Sequence, residues 1–222
     1  MAYDWDFTFV LKFQGILWQG LVGTLKVGGL SLCFGLIIGI VLALMRLSRF
    51  RTLSLTAGGV IEFFRMTPLI VQLFWVYFAL PIVLGIKLDA FDAAVLTLSV
   101  QSGAFFAEAY RAGIQSIDRS QWEGGRALGM STRQLMRRII LPQAIRRMIP
   151  PLMERAFELM KGTTQASTIG YAELLYNAMY LSARLYRPLE IMTCVAIFYF
   201  VMLTLASLAM RYLEHRLDAG RT

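Results

Sequence analysis

The sequence predicts an all-α polytopic membrane protein that has five transmembrane helices and a cytoplasmic helix–turn–helix loop. Of the 222 residues, 57% are hydrophobic and only 16% are charged, whereas soluble domains carry about 25% charged residues. Three uncharged apolar runs, 27–45, 66–86 and 191–210, are each long enough to cross a hydrocarbon core of about 30 Å as a helix. The chain contains no internal repeat or low-complexity linker, so residues 1–222 are expected to form one domain.

Two further segments predict spans that have a polar face. Residues 93–112 and 148–169 are largely apolar but carry ionisable side chains. Such side chains must face protein or water rather than lipid. The predicted spans are therefore residues 17–45, 57–84, 92–113, 148–169 and 189–211, and the cytoplasmic loop is residues 114–147.

The placement of arginine orients these helices. Arg46, Arg49 and Arg51 follow the first span, eight arginines lie between Arg111 and Arg147, and three more close the chain. Because cytoplasmic loops carry an excess of basic residues, the N-terminus is predicted to lie outside and the C-terminus in the cytoplasm. The net charge of +8 is explained by this topology and by contact with anionic lipid. No nucleic-acid partner is expected.

Several classes of site find no support in the composition. The chain has no GxxxxGK[ST] segment, so no nucleotide site is expected. Cys33 and Cys194 fall within predicted spans and His215 is the sole histidine, so no disulfide or metal spacing is present. An intramembrane enzyme would need a His/Asp, Ser/Lys or metal constellation at depth. We therefore expect that the chain is not an enzyme and binds no cofactor.

The cytoplasmic loop has the pattern of two short helices separated by a glycine. Ser120 and Glu123 fit a capping box at the start of the first helix, which should run to residue 128. Gly129 supplies a left-handed stop for that helix. Ser131 and Gln134 fit a second capping box, which opens the second helix.

The second loop helix is predicted to be amphipathic. Its apolar face comprises Leu135, Met136, Ile139 and Ile140 at helical spacing, while three arginines face away. Pro142 is expected to end it. A basic helix–turn–helix held at a membrane surface suits gripping by a soluble partner. The alternative is an ordinary solvated connection with good caps.

The second span carries polar residues on one face. Glu62, Arg65 and Gln72 lie within about 60° of one another around a helix. An i,i+3 ion pair at the interface accounts for Glu62 and Arg65, which leaves Gln72 as the better ligand candidate. Pro68 removes the hydrogen bond to the carbonyl of Phe64. That loss either exposes a carbonyl to a substrate or only kinks the helix.

The fourth span is the densest in polar residues. Lys161 could neutralise Glu158 at i,i+3, which would be a structural role. Alternatively, Thr163 and Thr164 could hydrogen-bond a zwitterionic ligand, with Lys161 near its carboxylate.

The spacing of the loop resembles the "EAA" loop of permease subunits of ABC importers. Glu123, Gly129 and the pair Leu141-Pro142 stand at the spacing of that loop, although the two alanines after the glutamate are Gly124 and Gly125 here. Two glycines cost up to about 2 kcal/mol of helix stability relative to alanine. The first loop helix is therefore expected to be softer or to pack more closely.

Further segments narrow the resemblance. Residues 62–72 and 107–114 are similar to blocks of the polar-amino-acid subgroup, which covers histidine, glutamine, glutamate, arginine and opine importers. Residues 161–164 are also similar, but Gly162 and Thr164 replace the usual acid or amide and the usual serine of K-[DN]-T-S. The alternatives, an intramembrane enzyme and a membrane scaffold, explain the polar spans less well.

The resemblance implies a partner set and two groups of site residues. The partners are two ATPase subunits that hold ATP and Mg²⁺, a second permease subunit (identical or paralogous), a periplasmic binding protein and a polar amino-acid-like substrate. The location is the cell inner membrane, with the N-terminus periplasmic. The implied ATPase-coupling residues are Glu123, Gly124, Gly125, Arg126, Gly129, Met130 and Ser131. The candidate substrate-path residues are Gln72, Lys161, Thr163, Thr164, Glu62 and Glu158.

Overall fold

The computed structural model describes residues 5–218, and helices form nearly all of that part. The α-helices are α1 (Thr8–Arg46), α2 (Arg51–Met66), α3 (Leu69–Phe74), α4 (Leu80–Leu84), α5 (Ala90–Gln115), α6 (Arg119–Ala127), α7 (Thr132–Leu135), α8 (Leu141–Gly162), α9 (Leu174–Leu185) and α10 (Pro188–Asp218). A π turn, Trp75–Ala79, joins α3 to α4, and another, Met136–Ile140, joins α7 to α8. A 3₁₀ segment, Thr163–Ile169, follows α8. The all-α prediction is confirmed.

Three helices of the described part are long and apolar enough to cross a membrane: Lys12–Arg46 within α1, all of α5, and Pro188–Ala209 within α10. A fourth candidate is the pair Arg51–Met66 and Leu69–Leu84, whose axes differ by 104°. The predicted second span is thus broken rather than continuous. Helix α8 is not among these candidates, because four ionisable residues lie between positions 154 and 161.

Helix α5 forms the centre of the fold and packs closely on α1. Gly35 and Gly39 of α1 form a small-xxx-small face against α5. A Cβ added to Gly39 would lie 2.7 Å from the Cβ of Phe106 and 3.1 Å from the carbonyl oxygen of Gly103. Such faces let helix backbones approach closely, which strengthens packing where no hydrophobic force drives association. The buried Phe106 fills the space beside this crossing.

The predicted end of the second loop helix at Pro142 is wrong. The chain continues from α7 through the π turn into α8, and Pro142 is the second residue of α8. In the wider turn the N–H of Leu141 donates to the carbonyl of Met136, five residues back. Widening makes room for a ring that would otherwise clash with the preceding turn. The other π turn precedes a second Leu-Pro pair, Leu80-Pro81, in the same way.

Helix α9 was not predicted from the sequence. Its buried residues Leu174, Ala178 and Leu181 pack on Leu17 of α1 and Ile191 of α10. A twelve-residue amphipathic helix is too short to register as a span. The predicted loop between the fourth and fifth spans therefore contains a packed helix. The side chain of His215 lies outside the described residues.

Candidate functional site

The first loop helix, α6, begins two residues earlier than a cap at Ser120 would allow. Its N-cap is Asp118, which is extended and makes no side-chain capping bond. The predicted box of Ser120 and Glu123 is therefore wrong, because Ser120 lies inside the first turn. The Glu123 carboxylate instead accepts a hydrogen bond from Nε of Arg119 at 2.7 Å. Both side chains are largely exposed, so this ion pair adds little stability.

The turn at Gly129 has the predicted left-handed conformation. Gly129 has φ +70°, its N–H donates to the carbonyl of Arg126 at 2.9 Å, and the N–H of Met130 donates to that of Gly125 at 3.1 Å. This pair of bonds is the Schellman arrangement, which satisfies the last carbonyls of a helix. The preceding side chain, Leu128, is 81% exposed at the tip. The loop thus presents a rigid turn to the surroundings.

The second capping box is confirmed. The N–H of Gln134 donates to Oγ of Ser131 at 3.3 Å, and the N–H of Ser131 donates to Oε1 of Gln134 at 2.9 Å. These reciprocal bonds satisfy two amides that the first helical turn leaves free. The start of α7 is accordingly well defined.

The two glycines after Glu123 differ in their surroundings. A Cβ added to Gly125 would overlap the side chain of Leu135, whereas one added to Gly124 would meet nothing within 4 Å. The expectation of closer packing therefore holds at Gly125. Gly124 lies on the exposed side of α6.

An apolar cluster fastens the loop beneath the helices. Its buried members are Ile117, Leu135, Ile140, Ala144 and Met148. The predicted amphipathic pattern is confirmed, since the arginines of α7 and the π turn stay exposed. The exposed arginines of the loop are Arg119, Arg126, Arg133, Arg137, Arg138, Arg146 and Arg147. The result is a basic outer surface on a firmly packed base.

Two ion pairs flank the ring of Phe105. Arg65 pairs with Glu62 at 3.2 Å, as predicted, and Arg155 pairs with Glu158 at 2.5 Å. The guanidinium carbons lie 5.6 and 4.5 Å from the centre of the Phe105 ring. Cation–π attraction of this kind adds about 0.5–2 kcal/mol per contact. Phe105 and Arg155 were not among the predicted site residues.

Of the two alternatives for Lys161, the ion pair with Glu158 is not formed. Arg155 takes the carboxylate of Glu158, because it lies one turn before it on the same helix face. Lys161 is exposed and has no ion-pair partner among the described residues. It borders a groove of about 530 Å³ between α8 and α10, lined also by Phe157, Phe200, Leu203, Thr204, Ser207 and Leu208.

Gln72 is buried in α3, and its amide nitrogen is already hydrogen-bonded, whereas its Oε1 has no hydrogen-bond partner among the described residues. Its Nε2 donates to the carbonyl of Phe64 and to the carbonyl of Thr67, both at 2.9 Å. The side chain borders an almost wholly apolar cavity of about 440 Å³, whose walls include Phe63 and Trp75. The carbonyl of Phe64, which loses its helical donor because of Pro68, is thus hydrogen-bonded by Gln72 rather than unpaired.

The hydroxyls of Thr163 and Thr164 also bond the backbone. Thr163 is fully buried and donates to the carbonyl of Met160 at 2.7 Å, and Thr164 donates to that of Lys161 at 2.8 Å. Gln72, Lys161 and Glu158 border three different cavities, the last of about 60 Å³. In the described part of the chain these three candidate substrate-path residues therefore border separate cavities.

Glu173 is a buried acid that the sequence pattern did not indicate. Its carboxylate accepts hydrogen bonds from the N–H of Tyr176 at 2.7 Å, Oη of Tyr199 at 2.9 Å and Oγ1 of Thr24 at 3.4 Å. Burial raises the pKa of the Glu173 carboxyl, and these hydrogen bonds partly offset the rise. A glutamate that caps a helix is usually exposed, so no local signal could have marked it as buried.

Comparison with known proteins gives a consistent result along most of the chain. The family described as "Binding-protein-dependent transport system inner membrane component" matches residues 35–219. The probable amino-acid ABC transporter permease protein PatM of Vibrio harveyi is 37% identical over 215 residues, which cover 96% of each chain. The glutamine transport system permease protein GlnP of Escherichia coli is 36% identical over 218 residues, 98% of this chain and 99% of that protein.

Solved structures agree with these sequence matches. A chain from the structure titled "Crystal structure of an amino acid ABC transporter with histidines" superposes with a TM-score of 0.91 at 36% identity. The match covers 96% of this chain and 100% of that one. A chain of the MetNI methionine ABC transporter superposes with a TM-score of 0.76 at 20% identity. That match covers 93% of this chain and 98% of the other, and at this identity it shows only a shared fold.

Proposed function

Because the chain belongs to the family of inner membrane components of binding-protein-dependent transport systems, we propose that it is the permease subunit of an ATP-driven importer of polar amino acids. The observation that carries the proposal is the loop of α6, the Gly129 turn and α7, which is rigid, basic and exposed on one side and packed on the other. Relatives that are 35–37% identical over nearly the whole chain are named as amino-acid permeases. Hydrolysis of ATP belongs to a separate subunit, so this chain is not itself an enzyme.

Five spans are proposed, with α8 and its 3₁₀ extension as the fourth. The Arg155 and Glu158 side chains of α8 would be tolerated in the membrane because they pair with each other and Arg155 lies over the Phe105 ring. The asymmetry of arginine supports a periplasmic N-terminus and a cytoplasmic C-terminus. The loop then lies in the cytoplasm, where an ATPase subunit could reach it.

The partners follow from the family and from the exposed surfaces. Two ATPase subunits that bind ATP and Mg²⁺ would grip the loop residues around Glu123 and Gly129. A second permease subunit would complete the path, which agrees with the placement of Lys161 and Glu158 at two separate cavities of the described chain. A periplasmic binding protein would deliver the substrate.

The geometry supports a direct mechanical link from the loop to the candidate substrate path. Helix α7, the π turn and α8 form one uninterrupted helical rod over residues 132–162. At 1.5 Å per residue this rod is about 46 Å long. Movement of the turn at Gly129 would shift the far end of the rod, where Lys161 lies and beyond which the 3₁₀ segment with Thr164 begins. Alternating access would result from such movement in both subunits.

The decisive experiment is reconstitution in proteoliposomes with the candidate ATPase and binding protein. We expect uptake of labelled polar amino acids that requires ATP, the ATPase and the substrate-loaded binding protein together. Vesicles with an ATPase that cannot hydrolyse ATP provide the control. Uptake that is independent of ATP would contradict an importer of this type, and uptake only of a substrate without amino-acid character would contradict the substrate class.

A further inference from the structure

The break in the second span leaves backbone groups without their helical partners. Thr67 and Pro68 are both extended, with ψ 133° and 136°, so the chain leaves α2 and starts α3 in a new direction. Proline has no N–H, and the carbonyl of Phe64 therefore lacks the donor that residue 68 would supply in a continuous helix. The carbonyl of Thr67 lies at the same half-buried corner. No water is available in a hydrocarbon core to satisfy either group.

The amide group of Gln72 supplies both missing hydrogen bonds. Nε2 carries two hydrogens, and the two carbonyls of Phe64 and Thr67 each lie 2.9 Å from it. The side chain is only 6% exposed, so these bonds are protected from competition. The walls of the neighbouring cavity are almost wholly apolar, and the Thr67 and Thr97 hydroxyls that border it already donate to the carbonyls of Phe63 and Ala93.

The direction of α3 affects the segment that contains Lys161. The side chain of Leu69, the first residue of α3, would lie 3.2 Å from a Cβ added to Gly162. Leu69 also packs in the cluster that holds Ala166 and Ile169 of the 3₁₀ segment. A change in the angle between α2 and α3 would therefore displace Leu69, which packs against the segment that contains residues 161–164.

We propose that Gln72 is a positioning residue, which replaces the backbone hydrogen bonds lost at Pro68 and so holds the break between α2 and α3. It acts on transport through the backbone rather than through contact with the substrate. The part of this inference that concerns uptake rests on the proposed function, whereas the part that concerns the break does not.

The test compares Gln72→Leu and the isosteric Gln72→Glu in the reconstituted complex, each with and without Pro68→Ala. Both single variants should lower the unfolding midpoint of the solubilised complex by about 5 °C, because two half-buried carbonyls lose their donor. Maximal uptake should fall roughly tenfold, while KM stays within about twofold. The exposed Gln19→Leu should leave both quantities unchanged.

The Pro68→Ala background separates the two possible roles. Replacing the proline restores an N–H that can donate to the Phe64 carbonyl, so Gln72→Leu should shift the unfolding midpoint less there than in the parent. If Gln72→Leu prevents assembly, recovery of assembly in the double variant supports the proposal and failure to recover overturns it. A raised KM with an unchanged midpoint would show a substrate ligand and overturn it. Equal shifts in both backgrounds, or a fully active Gln72→Glu, would also overturn it.

Discussion

Gly125 of α6 lies so close to Leu135 of α7 that a methyl group added to the glycine would overlap the leucine side chain. Leu135 is 1% exposed and belongs to the cluster that fastens the loop. The glycine thus sets the distance between the two loop helices. The EAA loop that this segment resembles has alanine at this position. Here the residue is glycine, and the two loop helices pack more closely.

Replacing the two glycines separately should isolate this contact. Gly124→Ala and Gly125→Ala gain the same helix propensity, but only the second must displace Leu135. We expect the Gly125 variant to be less stable than the Gly124 variant by about 1–3 kcal/mol, as measured by thermal unfolding of the complex. Leu135→Ala should relieve part of the Gly125→Ala penalty. Equal stabilities of the two alanine variants would refute the close approach.

The Glu123 carboxylate should act on the ATPase rather than on the fold. The side chain is 61% exposed and its pair with Arg119 lies on the surface, so Glu123→Gln should leave the unfolding midpoint unchanged. Substrate-stimulated ATPase activity should nevertheless fall, because the partner loses an ionised group to bind. Arg119→Gln removes the same ion pair and serves as the matched variant. If substrate stimulates ATPase activity in the Glu123→Gln variant as strongly as in the parent, this carboxylate has only a local role.

The buried Glu173 should be important for stability. Glu173→Ala removes three accepted hydrogen bonds, one of which caps α9, for an expected loss of about 2–4 kcal/mol. Tyr199→Phe removes one of those bonds and should cost about 1 kcal/mol. Thermal unfolding of both variants tests the network. An alanine variant as stable as the parent would show that the carboxylate is not held in this way.

The same residue predicts a pH dependence. Because burial raises the folded-state pKa of Glu173, the folded chain holds this proton more tightly than the unfolded chain. Stability contributed by the group is therefore full below the ordinary carboxyl pKa and is lost as pH rises through the raised pKa. Glu173→Gln should flatten that part of the stability profile. A variant profile that declines in parallel with the parent would assign the effect to other groups.

Thr164 and Thr168 offer a matched pair for the candidate substrate path. Each hydroxyl donates to the carbonyl three residues back, at 2.8 and 2.7 Å. Valine at either position therefore loses an equivalent local bond. We expect Thr164→Val to reduce uptake while assembly and basal ATPase activity persist, and Thr168→Val to have little effect. Similar uptake by the two variants would show that Thr164 is not a substrate-path residue.

Features that depend on residues a few positions apart were determined by the sequence alone. The left-handed turn at Gly129, the capping box at Ser131 and the Glu62–Arg65 pair each require only neighbours within one helical turn. The all-α class followed from apolar runs whose length matches a membrane. In these cases the chemistry of the local segment leaves one favourable arrangement.

Other features were decided only by the tertiary structure. Glu173 finds its partners on α1 and α10, and Thr24 is 149 residues away from it. Pro142 does not end its helix because a π turn widens the backbone before the ring, and Gly125 matters because Leu135 is pressed against it. Buried polar groups and close contacts depend on which surfaces meet, since a missing donor or an overlap has a cost only where neither water nor space is available.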